Sequence, residues 1–375
     1  MGTSYDVIII GGGVNGCASA YYLSKSGKKV LLLEKERIAS KASSAAAGML
    51  GAQVEVTEAG PLFELAKESR AIFPHLQQDL KELTGIDIEL VQKGMLKLAY
   101  HEEEALSLKK TIALQQKLGE KADWISREEV LRREPALGME MLGAMDIPRD
   151  GHVNPEKLTH AFAKAAITLG ADIKEYVEVY SLQELHQETV KVETSEGSFS
   201  GASIVVTAGA WSKRILSGLG INLPSYPVKG ECFSVLTDKP VLESTIFTDS
   251  CYIVPKSGNR LVVGATMVPH TFSEKVSIGG LASLMKEAIR TLPAIEHASF
   301  ERTWAGIRPQ TGDGLPFLGK HPTIPNLFIA TGHYRNGILL SPITGKLVAC
   351  MINGWKLPDY TRAFGLNRIQ EPSMR

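Results

Sequence analysis

The sequence has few cysteines and no excess of either charge. Four cysteines occur among 375 residues, and none is spaced as a CxxC pair or a zinc ligand set. This pattern predicts buried, reduced thiols and argues against a metal site or a disulfide framework. Basic and acidic residues both number 41, so the chain has no global field that would recruit nucleic acid or an anionic membrane.

Long hydrophobic runs are also missing. The longest apolar stretches, such as residues 337–353, are interrupted by Lys346 and are too short to span a bilayer comfortably, so we interpret this one as a buried helix. No basic leader or cleavage site typical of a secretory signal precedes the first strand, so we expect a cytoplasmic protein. No convincing Ser-His-Asp or Cys-His set occurs, and no catalytic acid or base is predicted.

The amino-terminal segment has the pattern of a strand, a helix and a second strand. Residues 5–10 form a continuous apolar run typical of a strand buried on both faces of a parallel sheet. Residues 14–25 change to helical spacing and residues 29–33 return to a strand pattern. This order predicts a right-handed strand–helix–strand unit.

Later segments predict further helices and strands. A long helix is expected at 60–83, and Asn154 followed by Pro155 is typical of a helix start. The remaining strands are predicted at 94–99, 172–179, 190–194, 203–207 and 326–330, with a strand-rich antiparallel region at 228–266.

The turn after the first strand reads GGGVNG and matches a dinucleotide-binding fingerprint. Gly11 allows the tight turn, Gly13 lets backbone approach a pyrophosphate, and Gly16 lets the helix pack on the strand. Glu34 ends the second strand about twenty residues later, where a carboxylate accepts hydrogen bonds from ribose hydroxyls. A turn used only for packing is the alternative, and the turn alone does not separate NAD from FAD.

The segment 40–50, SKASSAAAGML, consists almost wholly of small residues. Such a segment lets backbone lie against a bulky planar ligand, which favours FAD. Ala42, Ser43, Ala47, Gly48 and Met49 are the candidates for this lining. A small-residue contact between helices is the alternative.

Further motifs along the chain carry a family resemblance. With GGGVNG and Glu34, they are SSAAAGMLGA at 43–52, DGHVNP at 150–155, PVKGE at 227–231, CYIVP at 251–255, VVGATM at 262–267, WAGIRPQTGDGLPFLG at 304–319 and GHYRNGILLSP at 332–342. Together and in this order they resemble the bacterial glycine oxidases, which belong to the D-amino-acid oxidase group of flavoproteins.

The resemblance implies an α/β fold with a Rossmann-type FAD-binding domain and a smaller α+β substrate domain that contains a large antiparallel sheet. We expect the FAD-binding domain to be discontinuous, with segments 1–85, 145–215 and 305–375. The substrate domain is expected at 86–144 and 216–304. A homotetramer is also implied.

The resemblance further implies oxidation of glycine, N-substituted glycines such as sarcosine, and small D-amino acids. The products are a 2-oxo acid, ammonia or an amine, and hydrogen peroxide, and a role in thiamine biosynthesis is implied. The resemblance also implies that hydride passes from the α-carbon to flavin N5 and that oxygen reoxidises the flavin. The region 308–319 lacks the cysteine to which sarcosine oxidases attach FAD, so noncovalent FAD is expected.

Individual residues of this sequence match functional positions of the family. Arg308 matches the arginine that binds the substrate carboxylate, for which an ion pair with Asp313 is the alternative. Tyr252 matches a substrate-binding tyrosine, Arg335 matches an arginine beside the flavin and substrate, and Met49 and Met267 match pocket-lining positions. The cofactor-binding residues expected are Gly11, Gly13, Val14, Asn15, Gly16, Glu34, Lys35, Ala42, Ser43, Ala47, Gly48, Met49, Val179, His333, Tyr334, Arg335, Asn336, Gly337, Ile338 and Leu339.

Other functions stay open at this point. A D-amino-acid dehydrogenase that uses a quinone and a sarcosine oxidase would share the flavin fold. A pyridine-nucleotide dehydrogenase would share only the glycine turn. A non-catalytic flavin-binding module is disfavoured, since it would have no use for a guanidinium beside a tyrosine and a methionine.

Overall fold

Two large β-sheets organise the chain in a computed structural model that describes residues 4–55, 58–183 and 189–368. Its strands are β1 Ser4–Ile10, β2 Val30–Leu33, β3 Met49–Leu50, β4 Met95–Ala99, β5 Asp123–Ser126, β6 Gly143–Ile147, β7 Gly151–His152, β8 Asp172–Lys174, β9 Val179–Gln183, β10 Val190–Thr194, β11 Gly197–Val206, β12 Ser225–Leu236, β13 Thr245–Phe247, β14 Tyr252–Lys256, β15 Arg260–Gly264, β16 Val268–Pro269, β17 Ser299–Thr311, β18 Phe317–Lys320 and β19 Leu327–Thr331.

The helices lie between these strands. They are α1 Val14–Lys25, α2 Ala42–Ala45, α3 Pro61–Thr84, α4 Glu102–Lys117, α5 Arg127–Arg133, α6 Pro155–Thr168, α7 Ser212–Ser217, α8 Ile278–Thr291 and α9 Gly337–Asn353, with 3₁₀ turns at Gly209–Trp211, Pro293–His297, Tyr334–Asn336, Asp359–Phe364 and Leu366–Arg368. No helix in the described ranges is long and apolar enough to cross a membrane.

The first sheet has the order β18-β19-β11-β1-β2-β8, and β10 and β9 continue it beside β11. The pairs β1–β11, β1–β2, β2–β8 and β11–β19 are parallel. The predicted strand–helix–strand unit is therefore confirmed as β1, α1 and β2. Strands distant in sequence join it, since β19 pairs with β11 across more than a hundred residues of chain.

Both faces of the first sheet are covered. Val7 and Ile9 of β1 pack with helices α1, α3, α6 and α9, whereas Ile8 and Ile10 pack into a second core on the opposite face. All four side chains are at most 3% exposed. The continuous apolar run in the sequence follows from this burial, because alternate residues of a strand point to opposite faces.

The second sheet is largely antiparallel and contains the predicted strand-rich region. Its order is β16-β12-β15-β14-β13-β4-β6-β5, and the long strand β17 pairs with β12. Helix α8 packs against this sheet through Leu284 and Ala288. The observed α/β architecture agrees with the predicted fold class.

One predicted strand is divided in the structure. The strand expected at 172–179 is divided into β8 and β9, because Tyr176 between them has a left-handed φ of 62° and cannot continue a strand. Residue 305, where a domain boundary was placed, lies inside β17, which belongs to the second sheet along its whole length.

Candidate active site

A cavity of about 540 Å³ lies between the two sheets. The first sheet contributes the carboxyl ends of β1, β2 and β11, which is where open parallel sheets bind ligands. The second sheet contributes parts of β12, β14 and β17, and the start of α9 completes the wall. A volume of this size is within the usual range for small-molecule and cofactor sites, about 300–1,000 Å³.

The glycine turn forms one end of this cavity. Gly11 has a φ of 111°, and a methyl group there would collide with the main chain at Thr207. Gly16 does not line the cavity, because it packs the helix against the carbonyl of Gly11. Helix α1 begins after Gly13, and Gly13, Val14 and Asn15 at its start line the cavity, where the amino terminus of a helix provides partial positive charge.

Two polar side chains at this end, those of Glu34 and Asn15, can accept hydrogen bonds from a ligand. The carboxylate of Glu34 accepts hydrogen bonds from the N–H of Gly12 at 2.6 Å and of Glu36 at 2.9 Å, and it lines the cavity. The Oδ1 atom of Asn15 is buried and has no hydrogen-bond partner in the described residues. A buried acceptor without a partner is costly, so a bound ligand or water is expected there.

The small-residue segment forms the middle of the cavity wall. Gly48 has a φ of 81° and lies so close to the carbonyl of Val153 that no side chain would fit. The hydroxyl of Ser43 accepts a hydrogen bond from Val14 N at 2.9 Å, which joins the segment to the glycine turn. Trp304 of β17 donates to the carbonyl of Ala45 at 3.0 Å. The segment therefore bridges the two sheets.

Arg308 lies on the cavity side of β17. Its guanidinium lies against Gly230 of β12, where any side chain would collide with it. The Nη1 atom donates to the carbonyl of Thr266 at 3.3 Å. Asp313, the alternative partner, instead pairs with Arg368 at 2.9 Å, so that alternative was wrong. Among the described residues, no carboxylate pairs with Arg308, and the guanidinium is free to bind an anion.

Arg335 is paired with a carboxylate that the sequence analysis did not single out. Its Nε atom donates to both oxygens of Glu55, at 3.0 and 2.8 Å, and its Nη2 atom donates at 2.8 Å. Burial opposes the charged form of the guanidinium, but the Glu55 carboxylate outweighs this effect and raises the pKa of Arg335. Both side chains line the cavity as a neutralised pair.

Tyr252 is a buried phenol in the same wall. It is 6% exposed, and its hydroxyl is 3.6 Å from Sγ of Cys232. Gly264, opposite it on β15, leaves room for the ring. Burial raises the pKa of Tyr252, so the hydroxyl keeps its proton and can donate a hydrogen bond.

His333 precedes the helix that closes the cavity. Its ring is 4% exposed and its Nε2 atom is 3.0 Å from the hydroxyl of Thr344. Burial lowers the pKa of His333 to about 4, so the imidazole is neutral near pH 7. Asn336 supplies no side-chain cap to α9, and Asn336, Gly337 and Ile338 at the start of this helix line the cavity.

The cavity brings most of the predicted site residues together. Those that line it are Gly11, Gly13, Val14, Asn15, Glu34, Lys35, Ala42, Ser43, Ala47, Gly48, Met49, Val179, Tyr252, Arg308, His333, Tyr334, Arg335, Asn336, Gly337 and Ile338.

Three predicted residues lie elsewhere. Gly16 packs the turn, and Leu339 is in the core beneath the first sheet. Met267 is 57% exposed, and its sulfur is 3.4 Å from the hydroxyl of Tyr334, outside the cavity lining. Lining residues that the sequence analysis missed include Lys41, Glu55, Trp211, Arg214 and Gly230.

The chain matches known flavoproteins over nearly its full length. A family model described as FAD dependent oxidoreductase (DAO) matches residues 6–351. The glycine oxidase of Geobacillus kaustophilus is 49% identical over 97% of each chain. The chain belongs to the glycine oxidase family of FAD-dependent oxidoreductases. The crystal structure of glycine oxidase from Geobacillus kaustophilus has a TM-score of 0.96 at 46% identity, covering 98% of this chain and 100% of that one.

A bifunctional protein also matches this chain, over part of its own length. The bifunctional protein ThiO/ThiG of Synechocystis sp. is 34% identical, and the match covers 98% of this chain and 55% of that protein.

The cavity fits the FAD that the family requires. Glu34 and the N–H groups after Gly13 are suited to the ribose and pyrophosphate, respectively. The small side chains of 42–47 leave space for a planar ring, and the unpartnered Oδ1 of Asn15 offers an acceptor. The first sheet thus provides sites for the nucleotide end, while Arg308 and Tyr252 are contributed by the second sheet.

Proposed function

We propose that this enzyme oxidises glycine, and also sarcosine and small D-amino acids, to the 2-oxo acid, ammonia or an amine, and hydrogen peroxide. The observation that carries the proposal is the free guanidinium of Arg308 in a cavity suited to FAD. When bound, FAD supplies the acceptor for a hydride from the substrate α-carbon, and oxygen is the final oxidant.

The proposed cofactor contacts come from three segments. They are the glycine turn with Glu34, the small-residue segment with Met49, and the start of α9. The N–H groups from 337 onward would stabilise negative charge on the ring, because the amino terminus of a helix carries partial positive charge. Attachment is proposed to be noncovalent, which the absence of cysteine from 308–319 supports.

Arg308 and Tyr252 are proposed to hold the substrate carboxylate. A guanidinium can form two parallel hydrogen bonds with a carboxylate, which fixes its orientation as well as its position. Tyr252 retains its proton and can add a third donor. Rigid binding of the carboxylate directs the α-carbon, and correct orientation is a large part of catalysis.

Glu55 and Arg335 are proposed to form the side wall of the substrate pocket. Because the Arg335 guanidinium is neutralised by Glu55, Arg308 is the one uncompensated cation among the described residues that the second sheet and the start of α9 contribute to the cavity wall. One free charge suits an amino acid with one carboxylate. Met49 and Tyr252 limit the space for a side chain, which supports small substrates.

No side chain is proposed as a catalytic acid or base. His333 is neutral and engaged with Thr344, and Tyr252 keeps its proton. The enzyme therefore selects a substrate whose amine is already neutral, and the role of the chain is to orient the substrate and exclude water.

Four further properties are proposed, each with its own support. The division into a nucleotide domain and a substrate domain is supported by the two sheets. A cytoplasmic location is supported by four unpaired cysteines. A role in thiamine biosynthesis is supported by the match to the ThiO/ThiG protein. The resemblance also implies a homotetramer, which light scattering would test.

Oxygen consumption by the purified protein tests the proposed activity. Glycine, sarcosine, D-alanine and D-proline are compared, with hydrogen peroxide measured in the same samples. We expect turnover with glycine in the absence of membranes. Activity that requires an added quinone would instead identify a dehydrogenase, and bleaching by NADH but not by glycine would identify a pyridine-nucleotide enzyme.

A further inference from the structure

A buried ion pair lies beneath the strand that faces Arg308. Lys229 and Glu231 flank Gly230 on β12, and their side chains are 10% and 0% exposed. Side chains alternate along a strand, so Gly230 faces the cavity and the charged pair faces away from it. The distance from Lys229 Nζ to Glu231 Oε1 is 2.7 Å. Neither residue lines the cavity, and the proposed function gives the pair no role.

Glu231 and Thr266 are joined by three hydrogen bonds. The N–H of Glu231 donates to the hydroxyl of Thr266 at 2.9 Å, and the N–H of Thr266 donates back to the carbonyl of Glu231 at 3.3 Å. The Thr266 hydroxyl in turn donates to the Glu231 carboxylate at 3.2 Å. The carbonyl of Thr266 is the acceptor for Arg308, at 3.3 Å. A continuous chain of hydrogen bonds therefore joins Glu231 to Arg308.

The same pair holds the far end of the segment that follows Thr266. Ser277 donates to the Glu231 carboxylate from its N–H at 2.8 Å and from its hydroxyl at 3.3 Å. Lys229 also donates to the carbonyl of Lys275 at 3.1 Å. Burial opposes ionisation of Glu231, but the hydrogen bonds from Lys229 and Ser277 outweigh it and hold the pKa of the carboxyl below its ordinary value.

A buried ion pair is a weak source of net stability, because desolvation of both charges offsets their attraction. The ion pair has a more direct effect on the position of the chain segments that it joins. The pair fixes both ends of the segment 266–277, and Arg308 has no other hydrogen-bond acceptor among the described residues. Without a fixed Thr266 carbonyl, the guanidinium could turn within the cavity.

We propose that the Lys229–Glu231 pair positions Arg308 through the carbonyl of Thr266. Glu231 is thus a positioning residue for substrate binding and does not itself contact the substrate. The inference rests on the proposed function in one respect, that Arg308 binds the substrate carboxylate.

The test measures the dissociation constant of glycolate, a carboxylate without an amine, for the FAD-loaded enzyme, together with KM and kcat for glycine. Glu231→Gln should weaken glycolate binding about tenfold, the loss of roughly one charge-assisted hydrogen bond, and should raise KM more than it lowers kcat. Glu301→Gln is the matched control. Glu301 also accepts from a cation and a hydroxyl on the same sheet, but it does not line the cavity or contact Thr266.

Two less disruptive substitutions at Thr266 test the proposal if Glu231→Gln does not fold. Thr266→Val removes the hydroxyl and keeps the carbonyl, whereas Thr266→Ser keeps both. Glycolate should bind more tightly to the serine variant than to the valine variant. The proposal is overturned if Glu231→Gln or Thr266→Val lowers the Tm but leaves the dissociation constant within about twofold of wild type.

Failure of the proposed function gives a different result. Wild-type enzyme that binds glycolate but consumes no oxygen with glycine would refute the activity and leave the positioning of Arg308 testable by binding. Glycolate binding that is insensitive to Arg308→Ala would overturn both the carboxylate site and the positioning inference.

Discussion

The guanidinium of Arg308 lines the cavity, and its one hydrogen-bond acceptor among the described residues is the main-chain carbonyl of Thr266. Its replacement in Arg308→Ala should reduce kcat/KM for glycine by a factor of about 10²–10⁴. This range follows from the loss of two charge-assisted hydrogen bonds of about 1.5–3 kcal/mol each. Flavin content should be unchanged, as read from the visible absorption of the purified protein.

Arg302→Ala provides the control for this prediction. Arg302 is on the same strand, but it is exposed and lies over the ring of Trp304, with 4.9 Å from its guanidinium carbon to the ring centroid. Its loss should leave kcat/KM nearly unchanged. Equal activity of the two variants would remove Arg308 from the substrate site.

The Glu55–Arg335 pair should determine how many negative charges the pocket accepts. Glu55→Gln leaves the Arg335 guanidinium without its carboxylate partner, so a second free positive charge appears. We expect malonate to inhibit this variant at least about tenfold more strongly than it inhibits wild type, while inhibition by acetate changes little. Inhibition constants against glycine measure both effects, and unchanged selectivity would show that Arg335 does not reach the ligand.

Three strands of the second sheet are joined by a single carboxylate. Glu301 on β17 accepts hydrogen bonds from Ser234 on β12 and from Arg260 on β15, both at 2.7 Å. The hydrogen bonds from Arg260 lower the pKa of Glu301 to about 2. Because the folded-state pKa is depressed, the stabilisation is complete above the ordinary pKa of the carboxyl and is lost as the pH falls towards 2.

Glu301→Gln should therefore reduce the free energy of unfolding by about 1 kcal/mol at pH 7, since the pair is partly exposed, and by less than half as much near pH 3. Urea denaturation at both pH values measures the difference. Glu196→Gln, which removes an exposed ion pair with Lys174, serves as control and should show a smaller change at pH 7. An equal loss for Glu301→Gln at both pH values would contradict the assignment.

Elements with a local signal could be predicted from the sequence. The apolar run of β1, the glycine turn and the Asn154 cap each depend on residues close together in the chain, and all three occur as predicted. The division of 172–179 was missed because it depends on Tyr176, whose N–H bonds to the carbonyl of Glu36 from a distant segment.

Contacts between distant segments of the chain also limited what could be predicted of the candidate site. Arg308 and Tyr252 could be identified by resemblance, but their surroundings could not. The Glu55–Arg335 pair joins residues 280 positions apart, and Thr266 meets Arg308 across 42. No spacing rule encodes such contacts, because the pairing of β12 with β17 and the approach of the two sheets create them.

At the scale of the whole molecule, the cavity lies between the two sheets, so a ligand bound in it would contact both of them. A ligand that binds only the folded state stabilises it, by about 4 kcal/mol at a concentration a thousandfold above its dissociation constant. Removal of FAD should therefore lower the Tm by at least about 5 °C. Differential scanning calorimetry of apo and reconstituted enzyme measures the shift, and equal Tm values would contradict binding between the sheets.

The proposed release of hydrogen peroxide gives the protonation state of the Cys232 thiol a chemical consequence. The thiol lines the cavity beside Tyr252, and burial raises its pKa. Peroxide oxidises the thiolate, and a protonated thiol is inert by comparison. Under the proposed activity, burial therefore keeps the Cys232 sulfur in its less reactive, protonated form in the cavity where peroxide would form.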